Sequence, residues 1–303
     1  MKAIAVKHIK DDTSGIKRAI SIIAELSKIR ITFFVALSAS AGYVLNSGRF
    51  DADMIVPVLA VFILACGSSA LNHFQERKFD ALMERTKRRP LPSGQISSET
   101  ALLILSIMIG LGLFLIYISV NIQAMAAGAT AVIWYNAIYT PLKRMTPMAV
   151  IPGALIGAIP PVIGWMAAGG SMMDMRILVF ALFIFIWQIP HFWLLLIIYS
   201  GDYATAGYPV FSGRFTSKML APVTFLWILI LAVCGSLIPL GGLTGNPVIT
   251  GLLVLSGIWL LWRSRKIMLR DAEKRKYWHA FRDINNYVLF VVVLLSLGKI
   301  INL

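Results

Sequence analysis

Asn72-His73-Phe74-Gln75-Glu76-Arg77-Lys78-Phe79-Asp80 continues without a break from an apolar run, and Met83-Glu84-Arg85-Thr86-Lys87-Arg88-Arg89-Pro90 follows it at once. The run is long enough to cross a bilayer, so the quoted segment sits where a membrane helix reaches its end. If the helix continues through it, steps of four residues from Asn72 to Glu76 to Asp80 rotate only about 40° each. Three oxygen-bearing side chains then share one face. Oxygen ligands of this kind suit Mg²⁺, and the cations just beyond suit the phosphates such a metal carries.

The rest of the chain agrees with a membrane setting. Of 303 residues, 58% are hydrophobic and 14% charged, and the mean hydropathy is +0.78, too apolar for an ordinary soluble domain. Runs of about 18 to 22 apolar residues fall at 29–46, 54–74, 100–118, 122–139, 148–168, 177–199, 221–241, 247–263 and 286–301. The pattern predicts an all-α polytopic membrane protein with nine transmembrane helices in a bundle.

Lys and Arg set the orientation, because they accumulate on the cytoplasmic side. With the N-terminus inside, every Lys and Arg except Arg49, Arg176 and Lys299 falls on the inner side or at its edge. The net charge of +14 is therefore a topology signal first, and a phosphate or anionic-lipid signal second. Nucleic acid is not implied. Residues 1–28 read as a cytoplasmic amphipathic segment, with Ile16, Ile20, Ile23 and Leu26 at helical spacing among Lys17, Arg18 and Lys28. Residues 29–303 read as one transmembrane domain. Cys66 and Cys234 lie inside predicted spans and read as packing residues.

Three inner loops carry groups for one kind of ligand. Glu76 and Asp80 come with Arg85, Lys87 and Arg89; Lys143-Arg144 occupies the next inner loop and Asp202-Tyr203 the one after. An acid-bearing inner segment thus follows both the second and the sixth span, which would set two carboxylate clusters across a central cavity. Gly153, Gly157 and Gly164 surround Pro160-Pro161, and close helix packing is their first meaning, with a proline-broken helix lining a pocket as the consequence. Gln188 and His191 in Trp187-Gln188-Ile189-Pro190-His191 interrupt an apolar span and need partners there. His73 is similar. A hydrogen-bonded packing role and a haem contact both remain open for these histidines.

Asn72-x-x-x-Glu76-Arg77-x-x-Asp80, Met83-Glu84-Arg85-Thr86, Pro160-Pro161-Val162-Ile163-Gly164 and Trp187-Gln188-x-Pro190-His191 followed by Asp202-Tyr203 together resemble the UbiA-type intramembrane prenyltransferases. Within that superfamily they are most similar to the branch that farnesylates protohaem IX. Two positions depart from its first motif, Glu76 and Lys78, where relatives usually carry Asp.

The resemblance implies a helical bundle around a cavity open to the cytoplasm and to lipid, in a bacterial or archaeal cytoplasmic membrane, with farnesyl diphosphate and haem B as substrates. It implies Mg²⁺ on Asn72, Glu76, Asp80 and Asp202, which are also the catalytic set. Arg77, Arg85, Lys87, Arg89, Lys143 and Arg144 would hold the diphosphate, and His73, Gln188 and His191 the haem. A haem A synthase or a terminal oxidase under assembly would be the partner that takes the product. Two other readings stand beside this one: an aromatic prenyltransferase for a quinone precursor, and a nonenzymatic transporter or haem-binding assembly protein with Glu76 and Asp80 in an ion path.

Overall fold

The computed structural model describes residues 15–210, 217–268 and 274–301, so the first half of the expected N-terminal segment lies outside the described residues. Those described form helices and turns, with no strand. Helix α1 (15–26) leaves Ile16, Ile20 and Ile23 exposed and buries Leu26, the pattern of a helix resting on an apolar surface. Next come α2 (Ile29–Ser47), α3 (Ile55–Asp80), α4 (Ser98–Ser119), α5 (Ile122–Ile133) and α6 (Leu155–Ala167). They are followed by α7 (Met175–Ile198), the short α8 (Ser200–Thr205), α9 (Ser217–Leu237), α10 (Pro247–Ser264) and α11 (Lys274–Ile300).

Among the described residues, eight helices are long and apolar enough to cross a membrane. The remaining expected span, 122–139, is built differently: α5 runs on as a π-helix over Trp134–Tyr139. π-Turns widen a helix locally and recur at functional sites. At the other end, the apolar pattern starts the last span at residue 286, but α11 begins at Lys274. Tyr277, Ala280, Ile284 and Tyr287 are buried there at helical spacing, and the buried Asp283 takes Arg263 of α10 at 3.2 Å. The polar residues between them hid an amphipathic helix.

Lipid tails are as apolar as a protein core, so membrane helices associate by close packing and polar contact. The crossing of α2 with α6 does this through glycine: a Cβ on Gly42 would run into the Pro161 carbonyl, and one on Gly164 into that of Ala39. Gly67 and Gly112 play the same part between α3 and α4, against Ile109 and Leu64. Gly153 and Gly157 instead make room for the side chains of Tyr139 and Gln188. A second core, with Phe180, Phe183, Ile228, Leu253 and Tyr287, joins α7, α9, α10 and α11. A cavity of about 360 Å³ lies among α2, α3, α5, α6 and α7.

Candidate active site

Helix α3 ends in the site. It continues through Asn72 to Asp80, and Asn72, Glu76 and Asp80 all line the cavity from one face. Each is nearly inaccessible, at 1%, 6% and 2% exposure, so each needs a partner. Each has one. Asn72 Oδ1 accepts from Lys28 Nζ at 2.8 Å, and its amide donates to Thr140 Oγ1 at 2.9 Å. Glu76 Oε2 accepts from Lys143 Nζ at 2.5 Å, and Oε1 from the Tyr208 hydroxyl at 2.7 Å. Asp80 Oδ2 accepts from Arg89 Nη1 at 2.9 Å.

The Met83-Glu84-Arg85-Thr86 turn is folded back on the same helix end. Thr86 is fully buried and donates its hydroxyl to the Asp80 carbonyl at 2.8 Å, satisfying a helix-end acceptor. Met83 packs with Ala206 and Tyr208. Arg85 is then left over the Tyr199 ring at 5.0 Å and beside Asp202 at 3.9 Å.

Of the six cations expected to hold diphosphate, Arg85, Arg89 and Lys143 line the cavity. The other three are placed elsewhere. Arg77 lies over Phe74 and donates to its carbonyl, Lys87 pairs outward with Glu84 at 2.6 Å, and Arg144 lies over Phe79 and donates to the Gln75 carbonyl. Asp202 stands beyond the lining, next to Arg85. Of the haem candidates, Gln188 lines the cavity, whereas His191 packs between α7 and α11. His73 is buried with both ring nitrogens unpartnered and does not line it.

Sequence reasoning missed several lining residues. Lys28 reaches the site because it adopts a left-handed backbone, φ 49° and ψ 51°, where α1 turns into α2. Burial, with Arg89 and Lys143 nearby, lowers its ammonium to about 7. Tyr135 and Tyr139 come in on the π-helix, stacked at 5.9 Å. The π-turn is pinned to α3 by Asn136, which donates to Ser68 at 2.9 Å, and by Gln75, which donates to the Asn136 carbonyl at 3.1 Å. Tyr203 and Tyr208 complete an aromatic collar, and burial followed by the nearby Glu76 carboxylate raises the Tyr208 phenol well above its ordinary value. An aromatic residue in a polar loop was the only signal available for Tyr208.

No three His, Cys, Asp or Glu side chains converge as a standing metal cage among the described residues. The donors present are one amide and two carboxylates on one helix face. That set suits Mg²⁺, which keeps part of its shell and is held through one or two carboxylates and the phosphates it brings. Beyond the charged end, Val35, Val61, Leu64, Ile163 and Phe192 line the cavity. The space can hold a charged head and an apolar tail.

Known proteins resemble the chain in fold and in sequence. Among solved structures, one described as "Structural and mechanistic insights into the biosynthesis of Digeranylgeranylglyceryl phosphate synthase in membranes" superposes with a TM-score of 0.76 at 15% identity, over 93% of this chain and 98% of that one. A UbiA homolog from Archaeoglobus fulgidus bound to DMAPP and Mg²⁺ gives 0.66 at 16% identity, over 92% and 99%. At such identities the likeness is one of fold. In sequence, the chain is 41% identical to a protein from Geobacter sulfurreducens named protoheme IX farnesyltransferase, over 72% of this chain and 80% of that protein. It is 31% identical to one of the same name from Oleidesulfovibrio alaskensis, over 92% and 96%. The model of the UbiA prenyltransferase family matches residues 31–287, the span holding nearly every residue of the cavity just described, and the chain belongs to that family.

Proposed function

We propose that this integral membrane protein transfers the farnesyl group of farnesyl diphosphate to a vinyl group of haem B, giving haem O. The observation that carries the reading is the polarity of the cavity: paired oxygen donors and four cations, Lys28, Arg85, Arg89 and Lys143, at one end, and an apolar space in the bundle at the other. The name shared by the relatives supplies the identity of the two substrates.

Ionisation of an allylic diphosphate requires stabilisation of the departing charge. The cations take phosphate oxygens, arginine in forked fashion. Asn72, Glu76, Asp80 and Asp202 would hold Mg²⁺, which would supply further neutralisation of the departing charge. The C–O bond breaks, diphosphate leaves, and the allyl cation remains beside Tyr135 and Tyr139, whose ring faces attract positive charge. The apolar walls exclude water that would quench it. The haem vinyl group attacks the cation, a C–C bond forms, and the cation left on the side chain takes water and loses a proton. The hydroxyethylfarnesyl group results. With the positive residues inside, this chemistry faces the cytoplasm, and haem A synthase or an oxidase in assembly would receive the product.

The test is direct. Membranes holding the protein, given farnesyl diphosphate, Mg²⁺ and haem B, should yield haem O by mass spectrometry. Unchanged haem B alongside prenylation of an aromatic quinone precursor would overturn the reading.

A further inference from the structure

The cavity stops part-way along every helix that lines it. Counted away from the charged end, its last lining residues are Val35 on α2, Val61 on α3, Gly128 on α5, Ile163 on α6 and Gln188 on α7. The far parts of the same helices, 36–47, 55–60, 122–127, 164–167 and 175–187, contribute nothing to the lining. The floor is closed. Val61, Leu64 and Ile163 are 4%, 5% and 2% exposed and pack into one core with Ala39, Ala60 and Ile116. Gly128 is buried against them, since a Cβ there would lie 2.9 Å from Leu64 Cδ2 and 3.3 Å from Ile116 Cδ1.

Between the charged end and this floor, α3 presents small side chains, Ala65, Ser68 and Ser69, and α5 adds Ala131. A thin chain passes them and then meets branched residues. The depth can be read from α3: it rises roughly 12 Å from Asn72 to Leu64 and roughly 16 Å from Asn72 to Val61. Each isoprene unit puts four carbons into the main path of a prenyl chain, so at ordinary C–C bond lengths two units extend about 9 Å, three about 14 Å and four about 19 Å. With the diphosphate carbon level with Asn72, three units end at Leu64 and Val61. Two stop short, and four overrun the floor.

We propose that Val61, Leu64, Gly128 and Ile163 form a floor that measures the prenyl donor and selects a three-unit tail. The inference rests on the charged end being the diphosphate site. The wall does open toward lipid at Ile31, which lines the cavity and is 62% exposed, but Ile31 lies one turn from Lys28, beside the charged end and not at the floor. A tail that left there would meet no length limit, so chain-length preference separates the two paths.

The experiment uses the full chain in nanodiscs with Mg²⁺. Titration calorimetry gives the affinities of unreactive thiolodiphosphate analogues of geranyl, farnesyl and geranylgeranyl diphosphate, and mass spectrometry follows the products of the true diphosphates with haem B. The farnesyl analogue should bind at least about tenfold more tightly than either neighbour, the discrimination an apolar pocket gives by size. Leu64→Ala should raise the affinity for the geranylgeranyl analogue relative to farnesyl by about tenfold. Ala131→Leu, which fills the cavity one turn short of Gly128, should raise geranyl relative to farnesyl by a similar factor. A merely structural role would weaken all three analogues alike and leave these ratios unmoved. If Leu64→Ala yields no folded protein, Leu64→Val should show the same shift at smaller size. Equal binding of the farnesyl and geranylgeranyl analogues to the wild type overturns the inference, as do ratios that do not move in the variants, and haem O formation in either case leaves the enzymatic reading standing. The expected order of lengths without any haem product upholds the floor and overturns haem as the acceptor. A wild type that binds none of the analogues overturns both.

Discussion

Glu76 and Lys143 are joined at 2.5 Å, and the same one-to-one arrangement recurs around them. Lys28 holds Asn72, Arg89 holds Asp80 and Arg85 stands by Asp202. Every proposed metal ligand is thus occupied by a proposed phosphate ligand. Mg²⁺ entering alone would displace cations that have no phosphate to turn to, and diphosphate entering alone would meet carboxylates still bearing charge. Only the two together exchange all the pairs. The expected outcome is coupled binding: a nonhydrolysable farnesyl diphosphate analogue should tighten Mg²⁺ binding at least tenfold by titration calorimetry, and Mg²⁺ should tighten the analogue by the same factor, as linkage requires. Lys143→Met should bind Mg²⁺ alone more tightly than wild type and the analogue more weakly. Independent affinities in the wild type would count against the exchange.

The acids differ in setting, and their variants should differ accordingly. The Asp80 side chain is 3% exposed and fixed by Arg89, whereas that of Asp202 is 32% exposed and only loosely paired. Asp80→Asn should lower kcat/KM by roughly 100-fold or more and reduce folded yield, because Arg89 loses its counter-charge. Asp202→Asn should fold normally and lose activity most at limiting Mg²⁺. Near-normal turnover there would remove Asp202 from the ligand set.

Much of this was legible from residue spacing. Asn72, Glu76 and Asp80 share a face because four residues nearly complete a turn, and no tertiary contact alters that. Lys87 could not be sorted from Arg85 and Arg89 in the same way, since its direction depends on how the turn after α3 folds on Thr86, and Arg144 could not be sorted from Lys143 in the loop beyond Leu142; Arg77, one residue past Glu76 on α3, is turned off the shared face by about 100°. The π-helix that presents Tyr135 and Tyr139 leaves no mark in a hydropathy pattern of period 3.6.

Lys28 is the clearest case. Its place after Leu26 reads as the charged edge of a surface helix, but a single left-handed residue turns the side chain inward. It is the one non-glycine residue with positive φ among those described, and such strain persists at sites where surrounding contacts enforce it. Lys28→Met should raise the farnesyl diphosphate KM about tenfold, the loss of one charge-assisted contact, with kcat little changed. Lys28→Gly should show the same KM defect but a higher thermal midpoint than Lys28→Met, by about 1 kcal/mol of relieved strain. Equal midpoints would mean the turn is not strained.

The segregation of positive residues predicts an orientation that can be checked from outside the cell. Single cysteines at Arg49 and Asp174 should react with an impermeant thiol reagent on intact cells, and cysteines at Arg88 and Lys143 should not. Labelling at 88 would place the phosphate-binding end on the opposite side.

Gly42 and Gly164 bring α2 and α6 together backbone to backbone, with the Pro161 and Ala39 carbonyls where their side chains would be. A carbonyl in a helix cannot swing aside as a flexible side chain can, so added volume must push the helices apart. Pro160 and Ile163 of α6, and Thr32 and Val35 of α2, line the cavity, so the separation would reach the site. Gly42→Ala should cost about 1–3 kcal/mol as overpacking, read as a lower thermal midpoint in detergent, and Gly42→Val should cost more. Gly110, whose Cβ position is open, provides the control: Gly110→Ala should leave both stability and activity unchanged. A Gly42→Ala protein as stable as wild type would show that the crossing tolerates a wider spacing than its geometry indicates.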